Sequence, residues 1–362
     1  MLKIRKQIEC LYISTILDNL SLTGAWVAIL AARGFDLVEI SLAETVFHIV
    51  SLIFELPSGI LADVFGRKRM LLVSVVMRSL ANLVMIFSHD LATVCLSIGL
   101  TALGYNFASG TGDALAYDSL KYAGQEGCFD RFESNLLTIY RLCSGLSTLC
   151  AGLALSLGYR IAYGIDLISA AVQILVIFRL QEVRFQTFQQ DAPVWERLLH
   201  CAEKSVSFLK AGPRVLLLMF GNSLVGAIDI LLLFFIQAKL PGKGIPQWAL
   251  GVALLFMELG GIAGSRIVLK ASRWRYRTVF LAAVVLVLFG MAVEHSALYR
   301  IMVLGGFLAA AADDALQVRT NALLQSLFPS QQRATLTSVE SFSFSAIMVV
   351  LTPLAGVFYT HW

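Results

Sequence analysis

Long apolar stretches alternate with short polar ones along this chain of 362 residues. The apolar stretches run close to 20 residues, the length that carries an α-helix across a hydrocarbon core. They lack the strict apolar–polar alternation of a transmembrane β-strand, and lipid admits no third kind of spanning backbone. The pattern predicts eleven spans, at 8–32, 38–62, 70–88, 91–118, 134–156, 160–179, 214–238, 248–270, 278–294, 299–325 and 335–358. The longest connection separates a six-helix N-terminal half (1–180) from a five-helix C-terminal half (214–362). Within that connection (181–213), "VWERLLHCAEKSVSFLK" sets Trp195, Leu198, Leu199, Ala202, Val206 and Leu209 on one helical face, with Lys204 and Lys210 off it. Such a segment is either a helix on the inner membrane surface or a linker helix packed on the protein.

Composition agrees with an all-α integral membrane protein. Apolar residues make up 58% of the chain and charged residues 14%, where a soluble domain carries about 25%; the mean hydropathy is +0.77. The net charge of +4 comes from loop lysines and arginines and points to no nucleic-acid partner. The start has a basic segment, but the apolar run behind it is too long for a cleaved leader. Cys10, Cys95, Cys128, Cys143, Cys150 and Cys201 show no metal-binding spacing and read as free thiols or small apolar residues.

Basic residues set the sidedness. With the N-terminus inside, 20 Lys and Arg fall on inner segments and 5 on outer ones (Arg33, Arg160, Lys239, Lys243 and Arg300), so the positive-inside bias places the N-terminus in the cytoplasm.

The halves repeat. "SLTGA" (Ser21–Ala25) returns as "SLVGA" (Ser223–Ala227), "GILAD" (Gly59–Asp63) falls on "GIAGS" (Gly261–Ser265), and "DALAYDSL" (Asp113–Leu120) on "DALQVRTN" (Asp314–Asn321), all at a shift of 201 or 202. Repeated helical halves with a site between them at mid-membrane are a transporter pattern. On this register the counterpart of the sixth span would lie past Trp362, so a twelfth helix is expected and missing.

Between the second and third spans stands "GILADVFGRKRML", Gly59 to Leu71. Gly59 lets a helix approach closely. Asp63 ends a span where a carboxylate can meet an arginine or a helix N-terminus. Gly66 permits a tight turn, and Arg67 and Lys68 suit an anionic inner leaflet. This stretch resembles the signature G-x-L-A-D-R-x-G-R-K-x-x-L of the major facilitator superfamily, with Val64 in place of the usual basic residue. The resemblance covers both halves; "FPSQQRATLTSVESFSFSAIMVVLTPLAGVFY" is similar to that family's connection between helices ten and eleven. It implies two six-helix halves, secondary transport by alternating access, and a loop (Gly59, Asp63, Gly66, Arg67, Lys68) that latches the halves on the cytoplasmic side. The fifth span lacks the proline of the drug antiporters and the fourth lacks their arginine, while "SGTGDALAYDSL" resembles a bacterial efflux-type branch.

Ionisable residues inside spans are costly, and each is a functional candidate. Asp18 and Asn19 fall in span one, Asp113 in span four, Arg141 in span five, Asp229 in span seven, Glu258 in span eight, and Asp313 and Asp314 in span ten. Asp18 and the Asp313–Asp314 pair rank first as proton-binding groups, because a carboxylate in low dielectric can bind and release a proton near neutral pH. Arg78 fits snorkelling and packing as well as function. Glu55 and Asp118 lie nearer the latch. No metal set, nucleotide motif or enzymatic nucleophile is evident, and no cofactor is expected beyond a proton gradient. The expected partners are a small molecule and the bilayer, with a monomer in the plasma membrane. Efflux of a small, drug-like compound is the first reading. Solute uptake, or a truncated non-transporting relative or membrane receptor, is the alternative.

Overall fold

The structure is a computed structural model, which describes residues 3–183, 196, 213–271, 273–327 and 333–361. Among these residues there are helices and no strands. The first half holds α1 (Ile4–Asn19), α2 (Trp26–Ala32), α3 (Leu37–Phe65), α4 (Arg67–Phe87), α5 (Leu91–Ala108), α6 (Thr111–Tyr122), α7 (Phe129–Leu149), α8 (Ala151–Leu157) and α9 (Tyr159–Phe178). The second holds α10 (Pro213–Lys239), α11 (Gln247–Lys270), α12 (Tyr276–Val293), α13 (Tyr299–Leu327) and α14 (Arg333–His361). Among the described residues nine helical segments are long and apolar enough to span a membrane, or ten if the α7–α8 pair, bent by 46°, is one span. The protein is a multi-pass membrane protein.

The first expected span is corrected. Sequence 8–32 reads as one apolar run, yet the chain leaves the helix at Leu20 and re-enters at Trp26. The fourth span is interrupted where α5 gives way to α6 at Gly110, whose φ of 65° suits glycine at little cost. The amphipathic face expected over 195–209 lies outside the described residues, Glu196 apart.

The helices gather into two compact units that cross the sequence halves. One comprises Met1–Gly24, Val50–Ser147 and Leu157–Cys201; the other comprises Ala25–Ile49, Thr148–Ser156 and Ala202–Trp362. In the first, α1, α4, α6 and α9 enclose Leu11, Val75, Leu115, Leu120 and Ile177. Tyr12 and Phe132 stack there with ring centroids 5.1 Å apart. In the second, α10 to α13 enclose Leu232, Leu254, Met257, Val287 and Leu316, joined by Ala25, Ala28 and Ala151 of the short segments around α2 and α8. Gly260 and Gly264 of α11 lie against the carbonyls of Phe307 and Ala311, where a Cβ would collide with backbone; absent side chains let α11 and α13 nearly touch. Leu175, Leu217, Trp248 and Leu354 are exposed, as befits side chains facing hydrocarbon.

Candidate functional site

The first unit supplies the partners of the break in the first span. A broken helix frees backbone groups, and in a membrane these need protein partners. Asp166 of α9 supplies them: one carboxylate oxygen accepts the Leu22 N–H at 2.9 Å, and the other accepts the Thr23 N–H at 3.2 Å and the Thr23 hydroxyl at 2.6 Å. Ser147 of α7 does both jobs of a hydroxyl. It accepts the Ser21 N–H and donates to the Asn19 carbonyl, each at 2.9 Å. Asp166 is itself buried, at 8% exposure.

Asp18 sits in the last turn before this break. It forms an ion pair with Arg78 of α4. Gln173 of α9 completes a ring: its carbonyl accepts from Arg78 at 3.1 Å and its amide donates to Asp18 at 3.2 Å and to the Ser14 carbonyl at 3.1 Å. The stem of Arg78 runs through space that Gly104 of α5 leaves open; a Cβ at Gly104 would stand 2.5 Å from Arg78 Cγ. Arg78 is thus an ion-pair partner within the protein and no snorkelling cation. Asn19 turns away and donates to the Thr15 carbonyl at 2.9 Å. A cavity of about 120 Å³ opens beside the ring, lined by Ser14, Asp18, Ser74, Gly112, Asp113 and Gln173 among others. Its wall mixes these polar groups with Leu11, Leu71, Ala108 and Ile177, and it is large enough for several waters; it brings together Asp18 and Asp113, predicted from sequence, with Gln173, which was not.

The signature loop is tied down within the same unit. Gly66 has a φ of 100° and starts α4. Glu182 caps that start, its two oxygens accepting the Arg67 and Lys68 N–H groups at 2.9 Å each. The Arg67 side chain pairs with Asp118 of α6. The Lys68 ammonium donates to the carbonyl of Phe178, the last residue of α9, at 2.8 Å. Gly59 and the side chains of Asp63 and Arg141 lie outside the residues whose surroundings are described.

The second unit gathers Asp229, Asp313 and Asp314. Asp229 of α10 is 4% exposed and lies within electrostatic reach of both α13 carboxylates. Glu258 points elsewhere: it is exposed and accepts from the Thr148 hydroxyl at 2.6 Å. His48 meets Glu44 at 3.1 Å and sets its ring against Phe344, a packing role. Just past the end of α12, Glu294 is fully buried against the Lys239 ammonium at 2.7 Å. Burial pushes its carboxyl up to about 7, more than the neighbouring Lys239 and Lys243 hold it down.

Sequence reading missed Asp166, Ser147 and Gln173. Asp166 had an available signal, an ionisable residue inside an expected span. Ser147 and Gln173 are ordinary polar residues whose role appears only with their partners.

A profile of the Major Facilitator Superfamily matches residues 10–353. The chain belongs to that superfamily. Solved structures agree with a major facilitator fold. The crystal structure of a point mutant of the nucleoside transporter NupG aligns over 96% of this chain and 90% of its own at 15% identity, with a TM-score of 0.76. The unmutated NupG structure covers 98% of this chain and 91% of its own at 14% identity and 0.74. A D-xylose-proton symporter covers 97% and 90% at 12% identity and 0.63. Among curated proteins none matches the chain. In superfamily terms, the ring and cavity beside a discontinuous first helix fit the general arrangement of transporter sites, in which unwound backbone is tolerated where it is buried or borders a cavity.

Proposed function

We propose that this protein is a secondary active transporter and not an enzyme, working by alternating access and driven by a proton gradient. It exports a small, drug-like molecule across the plasma membrane as a monomer with a cytoplasmic N-terminus. The observation that carries the reading is the break at 20–25 with Asp18, Arg78 and Gln173 beside a cavity. A carboxylate held by one guanidinium and one amide can exchange partners when a proton or solute arrives, and that exchange couples binding to a helix that is already discontinuous. Uptake is the second reading, favoured by the printed name of one structural neighbour, a proton symporter.

The test is flux in proteoliposomes of purified protein. An imposed pH difference should drive a panel solute, and solute should drive proton movement in return. Asp18→Asn should slow solute and proton movement together, because it removes the partner that Arg78 and Gln173 hold. Solute flux that ignores the pH gradient in wild type would overturn proton coupling. The sign of solute movement relative to protons separates export from uptake.

A further inference from the structure

We infer that Asp229 and Asp313 form a carboxyl dyad that holds an exchangeable proton in the second half, and that this dyad, in place of Asp18, is the proton carrier. The inference rests on the proton-coupled reading above and deepens it.

The two halves treat their membrane-buried carboxylates differently. Asp18 has a guanidinium against it and Asp166 has three donors. Neither Asp229 nor Asp313 forms an ion pair with Lys, Arg or His among the described residues. Asp229 is 4% exposed, and its Oδ1 has no hydrogen-bond partner. That oxygen belongs to a stripe on α10 in which Asn222, Gly226 and Asp229 recur four and three residues apart, hence on one face. Gly226 leaves room on this face: a carboxylate oxygen of Asp313 lies 3.4 Å from where its Cβ would be. Gly261 of α11 does the same for Asp314. The charged groups acting on Asp229 are Asp313 and Asp314, both from α13; among the described residues none is contributed by α2, α12 or α14.

Two neighbouring carboxylates with no basic group against them do not both remain ionised in a low-dielectric site; one proton is shared between them. A proton fits better than other cations. Among the described residues no three acidic, His or Cys side chains converge to hold a metal ion. An organic cation would need an opening that a carboxylate at 4% exposure lacks. The step balances simply: water delivers H⁺, the carboxylate becomes a neutral acid, and release restores the anion with no electron transferred.

The experiment is infrared difference spectroscopy of the full chain in detergent, titrated with base. A carboxylic acid C=O band that shifts in D₂O should vanish as a carboxylate band grows. Asp229→Asn and Asp313→Asn should each abolish that exchange, and Asp18→Asn should keep it. Absence of the band in wild type, or its survival in both dyad variants, would overturn the proposal. So would its loss on adding sodium chloride at fixed pH and ionic strength, which would make the site a sodium site. The wild-type spectrum alone decides if the variants fail to fold. If the titrating band is present while the flux test shows no coupling, the dyad stands and the proton-driven reading falls.

Discussion

The stretches Ser21–Ala25 and Ser223–Ala227 are repeats of one another, and they fold differently. "SLTGA" is unwound between α1 and α2; "SLVGA" is continuous helix within α10. Glycine is common to both and therefore does not cause the break. What differs is the third residue and the company each stretch keeps. Thr23 gives its N–H and hydroxyl to Asp166. Val225 has only a buried hydrocarbon side chain, at 5% exposure. A helix in a membrane opens where another side chain can take over its backbone bonds, and the decisive residue stands some 143 positions away.

Four single substitutions, with Asp18→Asn as the partner in one double-mutant cycle, probe that difference. Asp166→Ala strands two N–H groups and a hydroxyl in a poorly hydrated place. It should lower stability by at least about 3 kcal/mol, since each buried unsatisfied donor costs about 1–3 kcal/mol. A thermal unfolding midpoint in detergent equal to wild type would show that the break stands without its carboxylate. Arg78→Ala leaves Asp18 without its partner and should cost about 2–3 kcal/mol. That is below the range for a fully buried pair, because the two side chains keep 21% and 29% exposure. Adding Asp18→Asn should return part of the loss, and strict additivity in this cycle would mean the pair is not coupled. Gly104→Ala pushes a methyl into the Arg78 stem and should cost about 1.5 kcal/mol; the cost should fall in the Arg78→Ala background without vanishing, because the Ser74 carbonyl also lies 2.9 Å from that Cβ, and an undiminished cost there would assign all of it to that carbonyl. Thr23→Val makes the first repeat like the second. It removes one hydroxyl bond and should cost about 1 kcal/mol. A loss as large as that of Asp166→Ala would assign the break to the hydroxyl and not to the carboxylate.

Much of the fold was legible because it rests on local pattern. Apolar length marks spans, and the Gly59–Leu71 signature marks the superfamily without reference to any distant residue. Arg67 and Lys68 could be picked out, yet their partners Asp118, Phe178 and Glu182 lie 51 to 115 positions on. The break was illegible for the same reason. Residues 8–32 contain no proline, and nothing in "SLTGA" says that an acceptor waits on α9. Asp18 was found by its charge, while its pairing with Arg78 needed the packing of the first unit. Asp229 and the Asp313–Asp314 pair were found separately, and only the structure brings them together.

The cap on α4 has a consequence for how the protein is made. Glu182 enters the chain 115 residues after Arg67. At about 5–20 residues per second the ribosome needs roughly 6–23 s to cover that distance. For all that time α4 is threaded into the membrane with its first N–H groups uncapped, and Lys68 waits as long for the carbonyl of Phe178. The loop whose sequence names the family is therefore among the last parts of its half to be finished during biogenesis, and it closes only once the sixth membrane segment has been delivered.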